Sequence, residues 1–287
     1  MQIVMVNVFF IGTSANWVLV DAGLYFSADR TERAAAELFG AGATPACIVL
    51  THGHFDHVGS LKELANRWNV PVYAHRLELP YVTGRSPYPP PDPSVARGSM
   101  AILSPLYPRG PFDGGFAVRR LPEDGSVPDL PGWRVIETPG HSPGHVSLFR
   151  DGDRTLIAGD AFVTTKQESL MAVLTQRQEI HGPPSYFTPD WESAEVSVRR
   201  LADLDPEVAA CGHGIPMQGE ELRRGLRHLA NNFRAVAVPR WGRYVGRPAR
   251  TDENGVLSVP GRKFTPTHAA AGAIGLAATA WALSRRR

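Results

Sequence analysis

Four side chains with metal-binding atoms fall within six residues of sequence: His52, His54, Asp56 and His57. They directly follow Cys47–Leu50, a four-residue apolar run typical of a buried strand. In a turn rather than a helix these side chains can converge on one point, and imidazole nitrogen with carboxylate oxygen is a ligand mix for zinc or iron. The alternative is a solvated loop that happens to contain histidines. The spacing favours a metal site at the carboxyl end of a strand.

Three more candidate ligands share one local setting, because each follows a predicted strand and has a glycine beside it. They are His141 after Trp133–Ile136, Asp160 after Thr155–Ala158, and His213 after Val208–Cys211. Glycine lets the backbone approach a crowded centre closely. Each position taken singly is also consistent with ordinary turn chemistry, so the prediction depends on the set.

The elements that must position these ligands alternate along the chain. In the first half, the apolar pattern predicts strands at Val6–Ile11, Trp17–Val20, Cys47–Leu50 and Pro71–Tyr73, with helices at Asp29–Leu38, capped by Asp29, and Gly59–Trp68. The second half adds a strand at His145–Phe149 to the three named above, and helices at Trp191–Leu201 and Glu220–Val236. Two successive halves of this kind predict an α/β fold with helices outside two packed sheets.

The HxHxDH signature at residues 52–57, with the three later ligands, resembles the metallo-β-lactamase superfamily over roughly the first 235 residues. The resemblance implies a four-layer αββα sandwich with the site at one edge, between the two sheets. It also implies a division of the ligands over two cations bridged by Asp160: His52, His54 and His141 for one, and Asp56, His57 and His213 for the other. An aspartate in place of a cysteine at the bridge is similar to the glyoxalase II and lactonase branches.

This resemblance implies hydrolysis by a hydroxide that bridges two divalent cations, with zinc expected and iron as the alternative. A water shared by two cations loses a proton near neutral pH, and the cations polarise the carbonyl, so no nucleophilic side chain is needed. We therefore predict a metallo-hydrolase acting on an ester-like bond, a thioester or a lactone. Asp56 either passes a proton to the leaving group or serves only as a ligand.

Two other functions remain open. A mononuclear iron enzyme resembling the persulfide dioxygenases would use the same ligand types, and metal analysis would separate it from a hydrolase. A non-catalytic metal-binding module would have no reason to keep seven costly polar ligands. Among the hydrolases, the tyrosine that acyl-homoserine lactonases place three residues after the bridging aspartate is Val163 here, which argues against that type.

Substrate contacts are expected from two irregular segments, because loops carry specificity in such folds. The segment 80–131 is rich in Pro and Gly, excludes regular sheet and is interpreted as an insertion that forms part of the substrate wall. The segment 166–189 contains His181, interpreted either as a substrate-binding residue or as an exposed loop histidine. Four arginines of the last helix could hold glutathione, although surface arginines are more often solvated: Arg223, Arg224, Arg227 and Arg234.

The composition indicates a globular protein with a small-molecule substrate, since 43% of its 287 residues are hydrophobic and 20% charged. Thirty basic and 28 acidic residues give a net charge of +2, so no nucleic-acid surface is expected. Cys47 and Cys211 adjoin predicted buried strands and are predicted to be reduced thiols of a cytoplasmic protein. The apolar run Ile3–Ile11 lacks the flanks of a signal peptide and is predicted to be a strand.

These patterns predict a catalytic domain at 1–237, a linker or tail at 238–266 and an apolar terminal helix at 267–287. The helix is apolar all round and ends in Arg285–Arg287, which favours burial or contact with a membrane over a surface stripe. Its uncharged part, 269–283, reaches only about 22 Å, short of the ~30 Å hydrocarbon core. Spanning is therefore marginal, and a docked or frayed helix is the alternative.

Overall fold

The computed structural model describes residues 1–96, 98–113 and 118–261, in which strands and helices alternate through two successive halves. Its strands are β1 (Gln2–Ile3), β2 (Val6–Asn7), β3 (Phe9–Thr13), β4 (Asn16–Val20), β5 (Cys47–Val49), β6 (Val72–Ala74), β7 (Val118–Arg120), β8 (Trp133–Glu137), β9 (Val146–Arg150), β10 (Thr155–Gly159), β11 (Val208–Cys211), β12 (Met217–Gln218), β13 (Arg250–Asp252) and β14 (Gly255–Ser258). Its α-helices are α1 (Ala28–Phe39), α2 (Phe55–Val58), α3 (Leu61–Trp68), α4 (Leu79–Val82), α5 (Ser99–Leu103), α6 (Leu170–Thr175), α7 (Trp191–Asp203) and α8 (Gly219–Val236).

Two five-stranded sheets have the orders β3-β4-β5-β6-β7 and β12-β11-β10-β9-β8. In the first sheet β4 to β7 are parallel. In the second, β10 and β11 are parallel, and β9 lies antiparallel between β8 and β10, so that β8, β10 and β11 point the same way. Because the carboxyl ends of parallel strands meet at one edge, the loops that follow these strands gather there.

The side chains of the strands alternate between two apolar layers, as the pleat requires. Val18 and Val20 of β4 pack with Leu148 of β9 between the two sheets. Leu19 faces the opposite way, into the layer that contains α1 and α3, whereas Phe149 faces α7 and α8. These layers form the αββα sandwich that the sequence predicts.

Two local predictions need correction. Ser27, not Asp29, occupies the N-cap of α1, and Asp29 lies in the first turn, where its charge is favourable to the helix dipole. The ligand segment is not entirely a turn either, because Phe55–Val58 forms the single helical turn α2. That turn places Asp56 and His57 one after the other on a rigid backbone.

The segment 80–131 contains a short strand, so the prediction that it excludes regular sheet is wrong. Val118–Arg120 forms β7 at the edge of the first sheet and pairs with β6 alone among the described strands. This stretch contains no proline, and an edge strand needs hydrogen bonds on one side only. The other described parts of the segment form short helices and turns.

Residues 238–261, for which the sequence predicts a linker or tail, pack against the rest of the described chain. Tyr244 is buried in the core beside α7 and α8, and its hydroxyl donates to the carbonyl of Pro90. The hairpin β13–β14 follows. The predicted terminal helix, 267–287, lies outside the described residues, and within those residues no helix has the length and apolarity to cross a bilayer.

Candidate metal centre

The seven predicted ligands lie together at the edge where the carboxyl ends of the strands meet, and all seven are buried. They come from four connections between strands. His52, His54, Asp56 and His57 lie between β5 and β6, the last two of them in α2; His141 follows β8, Asp160 follows β10, and His213 follows β11. Both sheets therefore contribute to one cluster.

One part of the cluster, here called the first triad, consists of His52, His54 and His141. The Nε2 atom of His52 lies 3.1 Å from Nδ1 of His54, which lies 3.0 Å from Nε2 of His141. All three offer a ring nitrogen within 4.8 Å of the others, a spacing that suits a shared cation.

The second triad, Asp56, His57 and His213, meets the same distance condition. The Nε2 atom of His213 lies 3.4 Å from Oδ2 of Asp56. One triad is thus wholly imidazole, whereas the other includes a carboxylate.

Asp160 lies between the triads. A single oxygen, Oδ2, is 3.5 Å from Nε2 of His141 in the first triad, and 3.1 Å and 3.6 Å from Nε2 of His213 and His57 in the second. The other oxygen, Oδ1, touches the backbone of Gly212 so closely that a Cβ there would lie 2.1 Å away. Only glycine fits at Gly212 without moving this carboxylate.

The backbone of Asp160 is fixed by His145. Nε2 of His145 accepts a hydrogen bond from the Asp160 amide at 2.8 Å, so the ring carries its proton on Nδ1 and donates to Thr138 Oγ1, also 2.8 Å away. Burial lowers the pKa of His145 to about 4, which keeps the ring neutral. A Cβ on Gly159, whose φ is +53°, would collide with this ring.

Asp21 fixes the second triad, a role that the sequence pattern did not reveal. Its Oδ2 accepts from Nδ1 of His57 at 2.8 Å, and its two oxygens also accept from the amide and the hydroxyl of Thr51. With Nδ1 engaged in this way, Nε2 of His57 faces Asp160. His213 is oriented similarly, since its Nδ1 donates to the carbonyl of Met5 at 2.7 Å. A hydrogen bond on the second ring nitrogen is the usual way to aim a ligating histidine.

Glu78 is a second contributor that the sequence pattern missed. It is fully buried, and its Oε1 accepts from Ser142 Oγ at 2.8 Å and from the Gly144 amide at 2.7 Å. Its Oε2 accepts from the Gly53 amide at 3.0 Å and from the Tyr88 hydroxyl. Gly53 separates His52 from His54, and Ser142 follows His141. One carboxylate therefore ties together the two loops that form the first triad.

The two triads differ in charge. Burial and the neighbouring imidazoles lower the pKa of His54 to about 3, and the same causes hold the pKa values of His52 and His141 well below the usual range. Burial also opposes protonation of His57 and His213, but the nearby carboxylates outweigh it and raise both pKa values. The histidines of the first triad are thus neutral and present nitrogen lone pairs. In the second triad, nearby carboxylates offset the positive charge of protonated histidines.

Two buried atoms in the cluster have no hydrogen-bond partner among the described residues: His57 Nε2 and Asp160 Oδ1. Buried polar atoms are almost always paired, so an unpaired imidazole nitrogen and carboxylate oxygen at one centre need another explanation. A divalent cation accepts both atom types as ligands. The donor set therefore fits a metal.

A cavity of about 180 Å³ opens beside the cluster and is bounded partly by ligands of both triads. Met100 and Tyr107, from the predicted insertion, contribute to its wall. His181, a predicted substrate contact, is not among the lining residues; its Nε2 lies 3.1 Å from Oε1 of Glu179. Gln167 does line the cavity, and it lies in the segment 166–189 from which substrate contacts are expected, although the sequence does not single it out.

Three of the four helix arginines suggested for glutathione are engaged elsewhere, and the first of these, Arg223, pairs with Glu207. Arg227 pairs with Asp205 at 2.5 Å, and Arg234 pairs with Glu195 at 2.7 Å, on the surface of α8. Cys47 and Cys211 are both buried free thiols, and burial raises the pKa of Cys47 to about 12.

The layers and the His/Asp cluster at their shared edge define an αββα protein with a metal-binding site. The chain belongs to the metallo-beta-lactamase superfamily, whose family model matches residues 2–213. It is 51% identical over 233 residues to YflN of Bacillus subtilis (strain 168), described as a probable metallo-hydrolase, covering 80% of this chain and 88% of that protein. YybB of the same organism, also described as a probable metallo-hydrolase, is 31% identical over 218 residues, covering 76% and 84%.

More distant relatives extend the comparison. A hydroxyacylglutathione hydrolase of Acidiphilium cryptum (strain JF-5) is 26% identical over 226 residues, covering 77% of this chain and 72% of that one. Among solved structures, TTHA1623 in a di-iron-bound form has a TM-score of 0.51 at 27% identity and covers 81% of this chain and 97% of that chain. The B3 metallo-beta-lactamase BLEG-1 has a TM-score of 0.52 at 26% identity, covering 74% and 88%. The predicted family and fold are confirmed.

Proposed function

We propose that this protein is a dinuclear metallo-hydrolase, with zinc as its metal, that cleaves an ester-like bond, a thioester or a lactone, in a small molecule. The observation that carries the proposal is the position of Asp160, because one of its oxygens lies within 3.6 Å of a histidine in each of the two triads. A carboxylate shared in this way suits two cations rather than one.

In this proposal the first triad would hold one cation and the second triad the other, with Asp160 as a ligand available to both. When bound, a pair of divalent cations supplies Lewis acidity, which acidifies water near neutral pH and polarises a carbonyl. The protein contributes the rest. Asp21 and the Met5 carbonyl aim His57 and His213.

Asp56 would serve in two ways, as a ligand and as a proton carrier. It is 9% exposed and lines the cavity, so its carboxylate can contact a substrate in the cavity in addition to lying beside His213. Hydrolysis adds water across the acyl bond, and the departing sulfur or oxygen needs one proton. A carboxylate at the cavity wall can hold that proton and release it to the leaving group.

The bond type is supported by two observations. The ligand between the triads is an aspartate, as in the glyoxalase II and lactonase branches that the sequence resembles. One relative is named as a hydrolase of an acyl-glutathione. For the alternative, a mononuclear iron persulfide dioxygenase, the di-iron-bound form of one structural relative favours iron as the metal but not a single-ion centre.

The test is a substrate panel applied to protein reconstituted separately with zinc and with iron. It contains neutral thioesters, lactones, a phosphodiester and a β-lactam, with oxygen uptake measured after addition of glutathione persulfide. We expect the zinc form to hydrolyse a thioester or lactone fastest, without oxygen uptake. Oxygen uptake with persulfide by the iron form, and no hydrolysis by the zinc form, would overturn the proposal.

A further inference from the structure

The chain segments that line the metal-centre cavity also carry large apolar side chains that are exposed to solvent. Six of these, each on the same segment as a lining residue, are here called the apolar rim: Val4, Phe26, Ile102, Leu106, Met171 and Leu174. Phe26 is 99% exposed and Leu106 79%. Single exposed apolar side chains are ordinary, but a group of them around one opening indicates an interaction surface.

Contacts between neighbouring segments place the rim around the cavity. On one side, the Met5 carbonyl accepts from Nδ1 of His213 at 2.7 Å, and the His213 carbonyl accepts from the Thr164 amide at 3.1 Å. Farther along the chain, the carbonyl oxygen of Glu168 abuts Gly98, the N-cap of α5, where a Cβ would lie 1.8 Å from it. The segment of Val4 is thus joined through the segment before α6 to α5.

The other side of the cavity closes the circuit. The ring of Tyr107 lies 5.6 Å from that of Phe55 in α2, measured between centroids. After α2, the amide of Gly59 donates to the carbonyl of Gly23 at 2.8 Å. A Cβ on Gly23 would lie 2.6 Å from Cδ1 of Ile3, the neighbour of Val4 in sequence. The segments of the rim therefore follow one another around the cavity and return to the first.

Exposed cations flank the rim on two sides. Arg30 lies in the first turn of α1, after Phe26, and Lys166 lies ahead of α6. The exposed acid beside Arg30 in sequence, Asp29, is paired with Arg67 at 2.7 Å. Apolar side chains bordered by lysine and arginine are typical of surfaces that bind anionic lipid.

The sequence beyond the described residues has the same combination of properties. Residues 269–283 are uncharged and rich in alanine and glycine, and Arg285, Arg286 and Arg287 follow them. Apolar side chains together with lysine or arginine bind a lipid surface more strongly than either does alone. This second stretch of the chain thus favours the same kind of partner as the rim.

The position of the rim favours a lipid surface over a protein as its partner. A protein seated permanently on the rim, including a second copy or the chain's own tail, would close the cavity that the proposed function assigns to the substrate. A fluid lipid surface covers the apolar side chains and still lets a lipid-dissolved molecule enter. This choice of partner rests on the proposed function.

We propose that the apolar rim docks the protein on the surface of an anionic lipid bilayer, with the cavity facing the acyl chains. Phe26 and Leu106 insert below the headgroups, and Arg30 and Lys166 contact the lipid phosphates. The protein lies on the bilayer and does not need to span it. Substrates of the cavity then include acyl compounds dissolved in the bilayer.

Cosedimentation of the full-length protein with vesicles tests the proposal. One set of vesicles is phosphatidylcholine alone, and the other also contains phosphatidylglycerol. We expect wild type to bind the anionic vesicles about tenfold more tightly than the neutral ones, because each cation near the surface adds to the affinity. The double variant Phe26→Ser with Leu106→Ser should bind the anionic vesicles about tenfold more weakly, or less, since two large apolar side chains no longer insert.

The matched control is the double variant Leu38→Ser with Val196→Ser, which also removes two exposed apolar side chains. Leu38 lies about 15 Å along α1 from its first residue, and Val196 lies in the middle of α7. This control should bind as wild type does. Wild type that binds neither vesicle, or equal losses in the two double variants, would overturn the proposal. So would a rim variant that binds like wild type, because the tail alone would then account for binding.

Sedimentation velocity without vesicles tests the competing partner, a second copy of the chain. We expect wild type and the rim variant to sediment alike. A wild-type dimer that the rim variant dissociates, and the control does not, would make the second copy the occupant and overturn the proposal. Vesicle binding needs no substrate, so absence of hydrolysis across the substrate panel counts against the hydrolase and leaves this measurement intact.

Discussion

The two triads of the metal centre have the same number of ligands but are supported by different means. The first triad is neutral imidazole, and Glu78 connects its two loops by accepting three hydrogen bonds, from Gly53, Ser142 and Gly144. The second includes a carboxylate, and its histidines are aimed by Asp21 and by the carbonyl of Met5. The difference indicates that each half of the centre can be weakened separately by changing a residue that touches no cation.

Asp160→Ala should affect both halves and produce the largest loss. The variant removes the carboxylate whose Oδ2 lies within 3.6 Å of histidines of both triads. Cations contribute several kcal/mol to transition-state stabilisation, so we expect kcat/KM to fall on the order of a thousandfold or more. Steady-state kinetics on the best thioester measures it. Wild-type turnover in this variant would remove Asp160 from the proposal.

Glu78→Ala should weaken the first triad selectively. It leaves the amides of Gly53 and Gly144 without their carboxylate acceptor, so the two histidine loops lose their tie. Partners of metal ligands typically change metal affinity or activity by about 10–100-fold. Competition with a chelator should show one cation bound more weakly and the other unchanged.

The Glu78→Gln variant sharpens this test. The Gly53 and Gly144 amides donate to different oxygens of the Glu78 carboxylate. Glutamine replaces one of these oxygens by an NH₂ group, which cannot accept, so in either orientation of the side chain one backbone N–H loses its acceptor. The loss should therefore be intermediate. Glu137→Ala is the control, since Glu137 is an exposed carboxylate at the end of β8. Equal weakening of both cations by Glu78→Ala would contradict the separation of the halves.

Asp21→Asn should weaken the second triad by a smaller factor, about tenfold. Asparagine tolerates the backbone of Asp21, whose φ is +61°, and still offers one oxygen to Thr51 or to His57. The control is Asp129→Asn, because Asp129 has a similar φ of +58° and lies beside Cys47 instead of a ligand. Chelator competition that shows loss of the first cation instead would reverse the assignment.

His181→Ala should have the smallest effect, less than about twofold on kcat/KM, because surface substitutions usually change energies little. His181 pairs with Glu179 and is absent from the cavity wall. Its backbone bridge to Val163 is retained by alanine. A tenfold rise in KM would restore His181 as a substrate contact.

The sequence predicts the ligands better than the groups that support them. His52, His54, Asp56 and His57 are adjacent in sequence and follow an apolar strand, so their spacing alone indicates convergence. The partners of these ligands come from distant positions, such as Asp21, and have no fixed spacing from them. Only the parallel strand order brings them together.

The same distinction applies to the fold. Long periodic elements such as α7 and α8 are predicted within a few residues, because burial on one face imposes a visible period. The three-residue strand β7 is not predicted, because the alternation of three residues is too short to recognise between segments rich in Pro and Gly. Gln167 lies in the segment 166–189 from which substrate contacts are expected, but nothing in its type or spacing singles it out, because its burial at the cavity is visible only in the structure.

The most direct test of the central claim is the metal content of the purified wild-type chain after reconstitution with zinc and removal of free metal. Inductively coupled plasma mass spectrometry gives the molar ratio, and Asp160→Ala prepared identically is the comparison. We expect two zinc ions per wild-type chain and at most one tightly bound in the variant. One ion per wild-type chain at full activity, or two retained by Asp160→Ala, would contradict it.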